Sequence, residues 1–370
     1  MHASTSQHET GAQRQHACVF ATLDSLFGSS YSLKRTIAAH IERPMLAVSA
    51  LGLLGRLGVP RVAASAYAAR GAWLAVSFAG ALALFFGAFT LTHAVWPTVS
   101  ASLPGGWLAD TYVLSTAVNG GAQVLCNLLL LPLYVSGAAD RWKSEPGKPW
   151  PWAATPEAAA KFWATLRRGA GLVTFNILVV AGVGLVTIAP IVRALGLETS
   201  YAATDLPSAA TTASHMLFCL IVEDAMFYTS HRLMHTPFLY RTIHKLHHEY
   251  ESVIGAASEH AHPVEFVLGN LAPVIMGPLL CRAHGSTLLL FLALRIAVSV
   301  EEHSGLSVPF SPLRVSPWGA MAAGHAWHHS HVVGVFASQF SWWDTLLGTD
   351  KAFLEWLADE EAQKRKAKAH

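Results

Sequence analysis

The sequence predicts an all-α integral membrane helical bundle with a histidine-rich cap on one membrane face. Three observations predict it: scarce charge, long uncharged apolar runs, and a histidine excess confined to one part of the chain. Of 370 residues, 52% are hydrophobic and only 13% charged, and mean hydropathy is +0.38. Soluble domains carry about 25% charged residues, so much of this surface is suited to lipid. A net charge of +2 is small for a nucleic-acid binder, and no basic helix with interleaved aromatics occurs. Cys18, Cys126, Cys219 and Cys281 form no CxxC pair, which excludes a zinc ribbon and a disulfide framework.

The elements follow from the uncharged runs. Residues 1–43 are polar and mixed, without the apolar core of a secretory signal, and read as a poorly ordered cytosolic leader. Met45–Ala69 is broken by Arg56, Pro60 and Arg61 and reads as interfacial. A crossing helix needs about 20 apolar residues. Trp73–Trp96, the run around Val124–Val135, and Gly169–Val192 meet that need, and Leu206–Val222 forms a shorter fourth span. Val264–Cys281 and Ser286–Val300, split by Arg282 and His284, suit a helical hairpin that dips in and returns. Residues 44–205 thus form a transmembrane region, 206–350 the domain that carries the histidines and 351–370 a charged tail. Arg141, Lys143, Lys148, Lys161, Arg167 and Arg168 precede the third span, and Arg232, Arg241 and Lys245 accompany the histidines. The positive-inside rule places both stretches in the cytosol.

Fourteen of the 20 histidines fall between His215 and His331. Eight lie in three boxes: His231 and His235 (HxxxH), His244, His247 and His248 (HxxHH), and His325, His328 and His329 (HxxHH). Residues three and four apart share a helix face, so each box can present two or three imidazoles toward one point. A zinc site takes three or four protein ligands, so eight imidazoles call for two ions, and the cap reads as metal-binding. Imidazole suits iron, copper and zinc alike. Without metal, each buried ring would leave a polar nitrogen unsatisfied at a cost in free energy. His262, before the hairpin, and His303, after it, are further candidate ligands, with His262 favoured over His260. Asp224, Glu259, Glu265, Glu301 and Glu302 are candidates to back the imidazoles. His93, His215 and His284 read as ordinary interface residues.

The runs Glu223-Asp-Ala-Met-Phe-Tyr-Thr-Ser-His231 and Leu239-Tyr-Arg-Thr-Ile-His244-Lys-Leu-His-His-Glu249 resemble the fatty acid hydroxylase superfamily of membrane oxygenases. Within it, Ala261-His-Pro-Val-Glu265, Glu302-His-Ser-Gly305 and Phe340-Ser-Trp-Trp-Asp-Thr-Leu-Leu-Gly-Thr-Asp350 are most similar to sterol C-4 methyl oxidases. The resemblance covers about Leu206 to Asp350. It departs at the third box, where Gly324 and Ala326 replace a histidine and an aspartate common in the family. Phe353 and His260 each stand where tyrosine is common.

The resemblance implies two iron ions held by the box histidines, with zinc as an alternative occupant in purified protein. It also implies O2 as co-substrate, electrons from NAD(P)H through cytochrome b5 or its reductase, and an apolar cavity for a sterol. It places the chain in the endoplasmic reticulum membrane with its catalytic face cytosolic. Lys366-Ala-Lys368-Ala-His370 fits a dilysine retrieval signal. An unactivated C–H bond offers no acidic proton or leaving group, so a redox metal must supply the oxidant while the protein positions and shields.

Rival readings remain on the same residues. Ser299-Val-Glu-Glu-His-Ser-Gly305 and His328-His-Ser-His331 are also similar to sterol 25-hydroxylases, and a sterol C-5 desaturase shares the scaffold. A zinc hydrolase acting through metal-bound water would need no O2. A non-enzymatic lipid-binding protein would tolerate alanine at His247 and His248.

Overall fold

The computed structural model describes residues 61–313 and 322–369. The 1–43 leader and most of the Met45–Ala69 stretch lie outside the described residues. The described residues form an all-helical bundle, and among them the one β-type feature is an isolated antiparallel bridge between Lys143 and Leu306. The long elements are α1 (Arg61–Ala101), α2 (Trp107–Ser136), α3 (Pro156–Ala194), α4 (Ala209–Met234), α6 (Pro263–Leu280) and α7 (Gly285–Glu302). Shorter ones are α5 (Pro237–Thr242), α8 (Ala322–His331) and α9 (Trp342–Leu347), and α10 (Lys351–Ala369) ends the described chain.

Among the described residues, four helical stretches are long and apolar enough to cross a membrane: Ala75–Ala101 of α1, and all of α2, α3 and α6. Their large apolar side chains point outward; Leu129 and Val135 on α2 and Val183 on α3 are each more than 60% exposed. That is the surface of a multi-pass membrane protein, where lipid replaces water as the neighbour. At 39 residues, α3 is about 58 Å long, far beyond the roughly 30 Å hydrocarbon core. Its excess is the N-terminal part carrying Lys161, Arg167 and Arg168, capped by Thr155 Oγ1 accepting from Ala158 N at 3.2 Å.

The two ends of the bundle are tied separately. At one end Trp107 Nε1 donates to Thr199 Oγ1 at 3.2 Å, and Gly285 N donates to Ser200 O at 2.8 Å. The tip of the α6–α7 hairpin therefore reaches the level of the loops that close α1–α2 and α3–α4. The hairpin runs the depth of the bundle rather than dipping into it, since 18 helical residues cover about 27 Å. The expected fourth span shifts accordingly: α6 meets the length and hydropathy needs, whereas α4 opens on Thr211, Thr212, Ser214 and His215 and then carries Glu223 and Asp224.

At the opposite end, Ser144 N donates to Gly305 O at 2.8 Å and Ser307 N to Trp142 O at 2.7 Å. Arg168 pairs with Glu249 at 2.6 Å. The basic loop and the histidine region thus share one end, as their charge pattern predicts. Helix α4 packs on α6 at Gly277, where an added Cβ would sit 2.7 Å from Cys219 Cα; small residues at such crossings let apolar helices approach closely. Both α3 and α6 contain a π-helical turn, Asn176–Val180 and Phe266–Leu271.

Candidate metal centre

The histidines reach the centre from four places. His231 occupies the last turns of α4, and His235 follows at its C-terminus. The second box lies on a tight helical turn, His244–Glu249, that follows α5. His303 follows the end of α7, and the third box lies on α8. Two compact groups result. One gathers His231, His235, His244, His248 and His328, and the other His247, His303, His325 and His329; within each, one ring nitrogen from every residue lies within 4.8 Å of the rest.

The boxes do not each serve one point, as their spacing alone suggests. The i, i+4 pairs stay together, while the third member of each HxxHH box crosses to the other group. On α8 adjacent His328 and His329 differ by about 100° around the helix, whereas His325 and His329 differ by about 40°. Two HxxHH boxes facing each other therefore exchange one ligand each.

His262 joins neither group. Its Nδ1 accepts from Val264 N at 3.2 Å and caps the start of α6, which holds the ring at the helix entrance. His260 does not join either; its Nε2 faces Glu249 at 3.1 Å, while its carbonyl serves the centre from behind. His284 is structural, as expected: its Nε2 donates to Ala202 O at 3.1 Å.

Hydrogen bonds fix which nitrogen faces inward. His231 Nδ1 donates to Phe336 O at 2.9 Å, His247 Nδ1 to His260 O at 3.1 Å, His303 Nδ1 to Ser299 O at 2.8 Å and His328 Nδ1 to Gly334 O at 2.6 Å. A carbonyl can only accept, so each of these rings carries its proton on Nδ1, and its neutral form leaves a bare lone pair on Nε2. Those lone pairs converge. His303 Nε2 and His247 Nε2 lie 3.3 Å apart, and the buried Nε2 atoms of His231 and His328 have no hydrogen-bond partner.

Protonation does not relieve the crowding. Burial, and then repulsion between the rings, lowers His235 and His248 to about 3 and presses His247, His325, His328 and His329 well below the usual imidazole range. Neutral buried imidazoles aiming lone pairs at common points are the ligating form of histidine. The donor set fits two transition-metal ions, one per group.

Of the five carboxylates expected behind the imidazoles, Glu265 takes that place, accepting from His244 Nδ1 at 2.7 Å. Backbone carbonyls do the same work for His231, His247, His303 and His328, and two further carboxylates hold the segment that carries the Phe336 carbonyl. Asp344 accepts from Phe336 N at 2.8 Å and Ala337 N at 2.9 Å, while Asp224 on α4 accepts from Gln339 N, Phe340 N and Trp342 Nε1. The Phe340–Asp350 motif therefore acts structurally, shaping the segment that orients His231 and His328. Gly334 belongs to it: its φ is +61°, and a Cβ there would overlap the Thr349 carbonyl. The family departures at Gly324 and Phe353 also meet, since a Cβ on Gly324 would lie 3.4 Å from the Phe353 ring.

Sequence reasoning missed Arg295. It is 5% exposed and donates to Glu223 at 2.8 Å, Ser338 Oγ at 2.8 Å and Gln339 Oε1 at 3.1 Å. Its only sequence signal is an arginine inside an apolar run, which calls for a buried partner.

A cavity lies against the centre, lined by His231, His244, His247, His303 and His325 among others. A second lies among α2, α3, α6 and α7 and is largely apolar, with Leu185, Leu271, Leu288 and Leu292 in its wall. Both share Glu259, Asn270, Val274 and Ile296. The two cavities therefore adjoin across a wall made by these four residues.

Replacing Glu265 with alanine is expected to weaken metal retention about 10- to 100-fold, the usual cost of removing a group that orients a ligand. Loss of metal against a graded chelator measures it; unchanged retention would mean that Glu265 does not support His244.

The family model for fatty acid hydroxylase matches residues 216–349, the stretch that holds every histidine of both groups. Fatty acid hydroxylase ahd1 of Mycosarcoma maydis is 30% identical over 288 residues, covering 73% of this chain and 70% of that protein. Methylsterol monooxygenase 2-2 of Arabidopsis thaliana is 36% identical over 44% of this chain and 61% of its own length. Methylsterol monooxygenase 1 of Gallus gallus is 37% identical over 40% of this chain and 50% of its own. This chain therefore spans only half to three-fifths of those two sterol enzymes. No solved structure matches the chain. With the histidine framework inside the matched region, and with likeness that extends across most of the Mycosarcoma maydis protein, this chain belongs to the fatty acid hydroxylase family, a family of membrane oxidoreductases.

Proposed function

We propose that the chain is an O2-dependent monooxygenase that oxidises the C-4 methyl group of a sterol precursor. In this reading two iron ions occupy the two histidine groups, and electrons come from NAD(P)H through cytochrome b5 or its reductase. The enzyme sits in the endoplasmic reticulum membrane with the histidine end in the cytosol. The observation that carries the reading is the junction of two cavities: one against the imidazoles, the other apolar and enclosed by membrane helices. Likeness to methylsterol monooxygenases across the histidine region supports the substrate class.

The bound irons would supply the oxidant for an unactivated C–H bond. The chain's own residues do the rest. The Nδ1 bonds to carbonyls and to Glu265 aim five of the nine imidazoles, His231, His244, His247, His303 and His328, inward. The apolar chamber admits a lipid and keeps bulk water out, and burial of the groups shields the reaction from solvent.

The test is expression in a host lacking its own C-4 methyl oxidase, with sterols profiled by mass spectrometry. Loss of 4-methyl sterols is the expected result. Their persistence despite good expression would reject the reading. In that case side-chain-hydroxylated sterols would point to a 25-hydroxylase, and hydroxylated long-chain acyl products would follow the likeness to the Mycosarcoma maydis fatty acid hydroxylase.

A further inference from the structure

The two chambers adjoin at a polar pair of side chains, which marks the passage from the largely apolar chamber to the polar one at the histidines. Glu259 is 4% exposed and lines both cavities with Asn270. Asn270 Nδ2 donates to Glu259 Oε2 at 3.3 Å, a long bond that leaves both groups capacity for another partner. Asn270 lies in the π-helical turn Phe266–Leu271; such turns occur often at functional sites. The neighbouring Ser258 is held by Gln123, whose Nε2 donates to its Oγ at 2.9 Å, so the pair is braced by α2. A carboxylate and an amide buried between apolar Val274 and Ile296 cost free energy unless a polar partner meets them. A wholly hydrocarbon lipid would offer the pair no further partner where the two chambers adjoin.

The geometry points to Glu259 and Asn270 as the recognition pair for a hydroxyl next to the carbon that is oxidised, so the lipid enters polar end first. This inference rests on the sterol reading and sharpens it. The pair borders the chamber that holds His231, His244, His247 and His303, so a polar group bound there is close to the reacting position. In a 4-methyl sterol the 3-hydroxyl is on the carbon adjacent to C-4. That hydroxyl can donate to Glu259 and accept from Asn270 while the rings and side chain occupy the apolar chamber. A sterol entering for side-chain oxidation would place its hydroxyl at the opposite, apolar end. A long acyl chain oxidised far from its head would bring no polar group to the pair.

The experiment uses the full chain in lipid nanodiscs, loaded with iron and kept without reductant. Binding of a radiolabelled 4-methyl sterol is competed with the 3-hydroxy compound and its 3-deoxy analogue, and turnover of each is then measured after reduction. The parent is expected to prefer the hydroxylated compound by about 10- to 100-fold in Kd, the worth of one or two hydrogen bonds to buried groups. Asn270→Leu is expected to cut that preference about tenfold or more. Glu259→Gln, which keeps an accepting oxygen, is expected to cut it less.

Iron content is measured for every variant. A residue that only supports the fold would lower affinity for both compounds equally, so the ratio separates recognition from packing. An unchanged ratio in Asn270→Leu, or a parent that binds both compounds alike, overturns the inference and leaves C-4 oxidation standing. A parent that neither binds nor oxidises any sterol overturns the sterol reading, and this inference falls with it.

Discussion

Replacing His325 and His329 with alanine is expected to abolish turnover and to remove one of two bound metal ions per chain. Both residues belong to the same group of four, and their loss leaves His247 and His303 alone. Two imidazoles do not hold an ion that four held. Removing even a supporting partner of a ligand costs 10- to 100-fold in affinity, and two direct donors cost more. The other group keeps all five of its members, so half the metal should remain. Metal analysis of purified protein, per mole of chain, reads the result. Full occupancy would show that the second group is not a site, and complete loss would show that the two groups bind only together.

The adjacent pair gives the complementary pattern. Alanine at His247 and His248 takes one ligand from each group, although the residues are neighbours in sequence. Both ions are then expected to bind more weakly, with neither lost selectively. The metal-free His325→Ala, His329→Ala protein is also expected to be at least as stable as the metal-free parent. In the parent, ring nitrogens crowd each other at close range, as between His325 and His303 at 2.9 Å and between His329 and His325 at 3.2 Å, and the substitutions remove both contacts. A lower thermal midpoint for the metal-free variant would show that these contacts stabilise the metal-free protein.

The second large effect is at Arg295. Arg295→Met is expected to destabilise the protein by about 3–5 kcal/mol, the range for removing one partner of a buried ion pair. Glu223 is only 1% exposed, so its charge would be stranded. Ser338 and Gln339 would lose their donor at the same time, loosening the segment that carries the Phe336 carbonyl behind His231. Metal affinity should therefore fall along with stability. Adding Glu223→Gln is expected to restore much of the stability, because the stranded charge is gone, but not the anchoring of Ser338. Thermal unfolding in detergent, with metal content measured in parallel, separates the two effects. Unchanged stability in Arg295→Met would show that the pair is not buried in the protein as it exists in the membrane.

Much of the architecture was legible because it rests on local pattern. Trp73–Trp96, the run around Val124–Val135 and Gly169–Val192 became the apolar stretches of α1, α2 and α3, because an apolar run of that length has few other stable settings than lipid. The basic loop after α2 and the histidine region came out at the same end, as Lys and Arg placement requires. The histidine boxes were visible for a similar reason: rings three and four apart on a helix share a face whatever lies opposite.

What failed depended on position in space. His262 and His303 looked equivalent, since both flank the hairpin. One ring caps α6 and the other enters the second group, because Pro263 starts a helix directly behind His262. The depth of the hairpin was misjudged because length sets reach, but only contact with Ser200 shows where the tip stops.

By itself the sequence determined the helices, their apolar faces, the shared end of basic loops and histidines, and a ligand set too large for one ion. Each follows from side-chain chemistry and helical period, which are properties of neighbours along the chain. Only the tertiary structure decided how nine imidazoles divide into two groups. It also decided that His247 and His328 cross between them, and that carbonyls of Phe336, Gly334, His260 and Ser299 choose the tautomers of His231, His328, His247 and His303. Those outcomes depend on which segments meet across the bundle, and no local spacing encodes the angle at which one helix presents its rings to another.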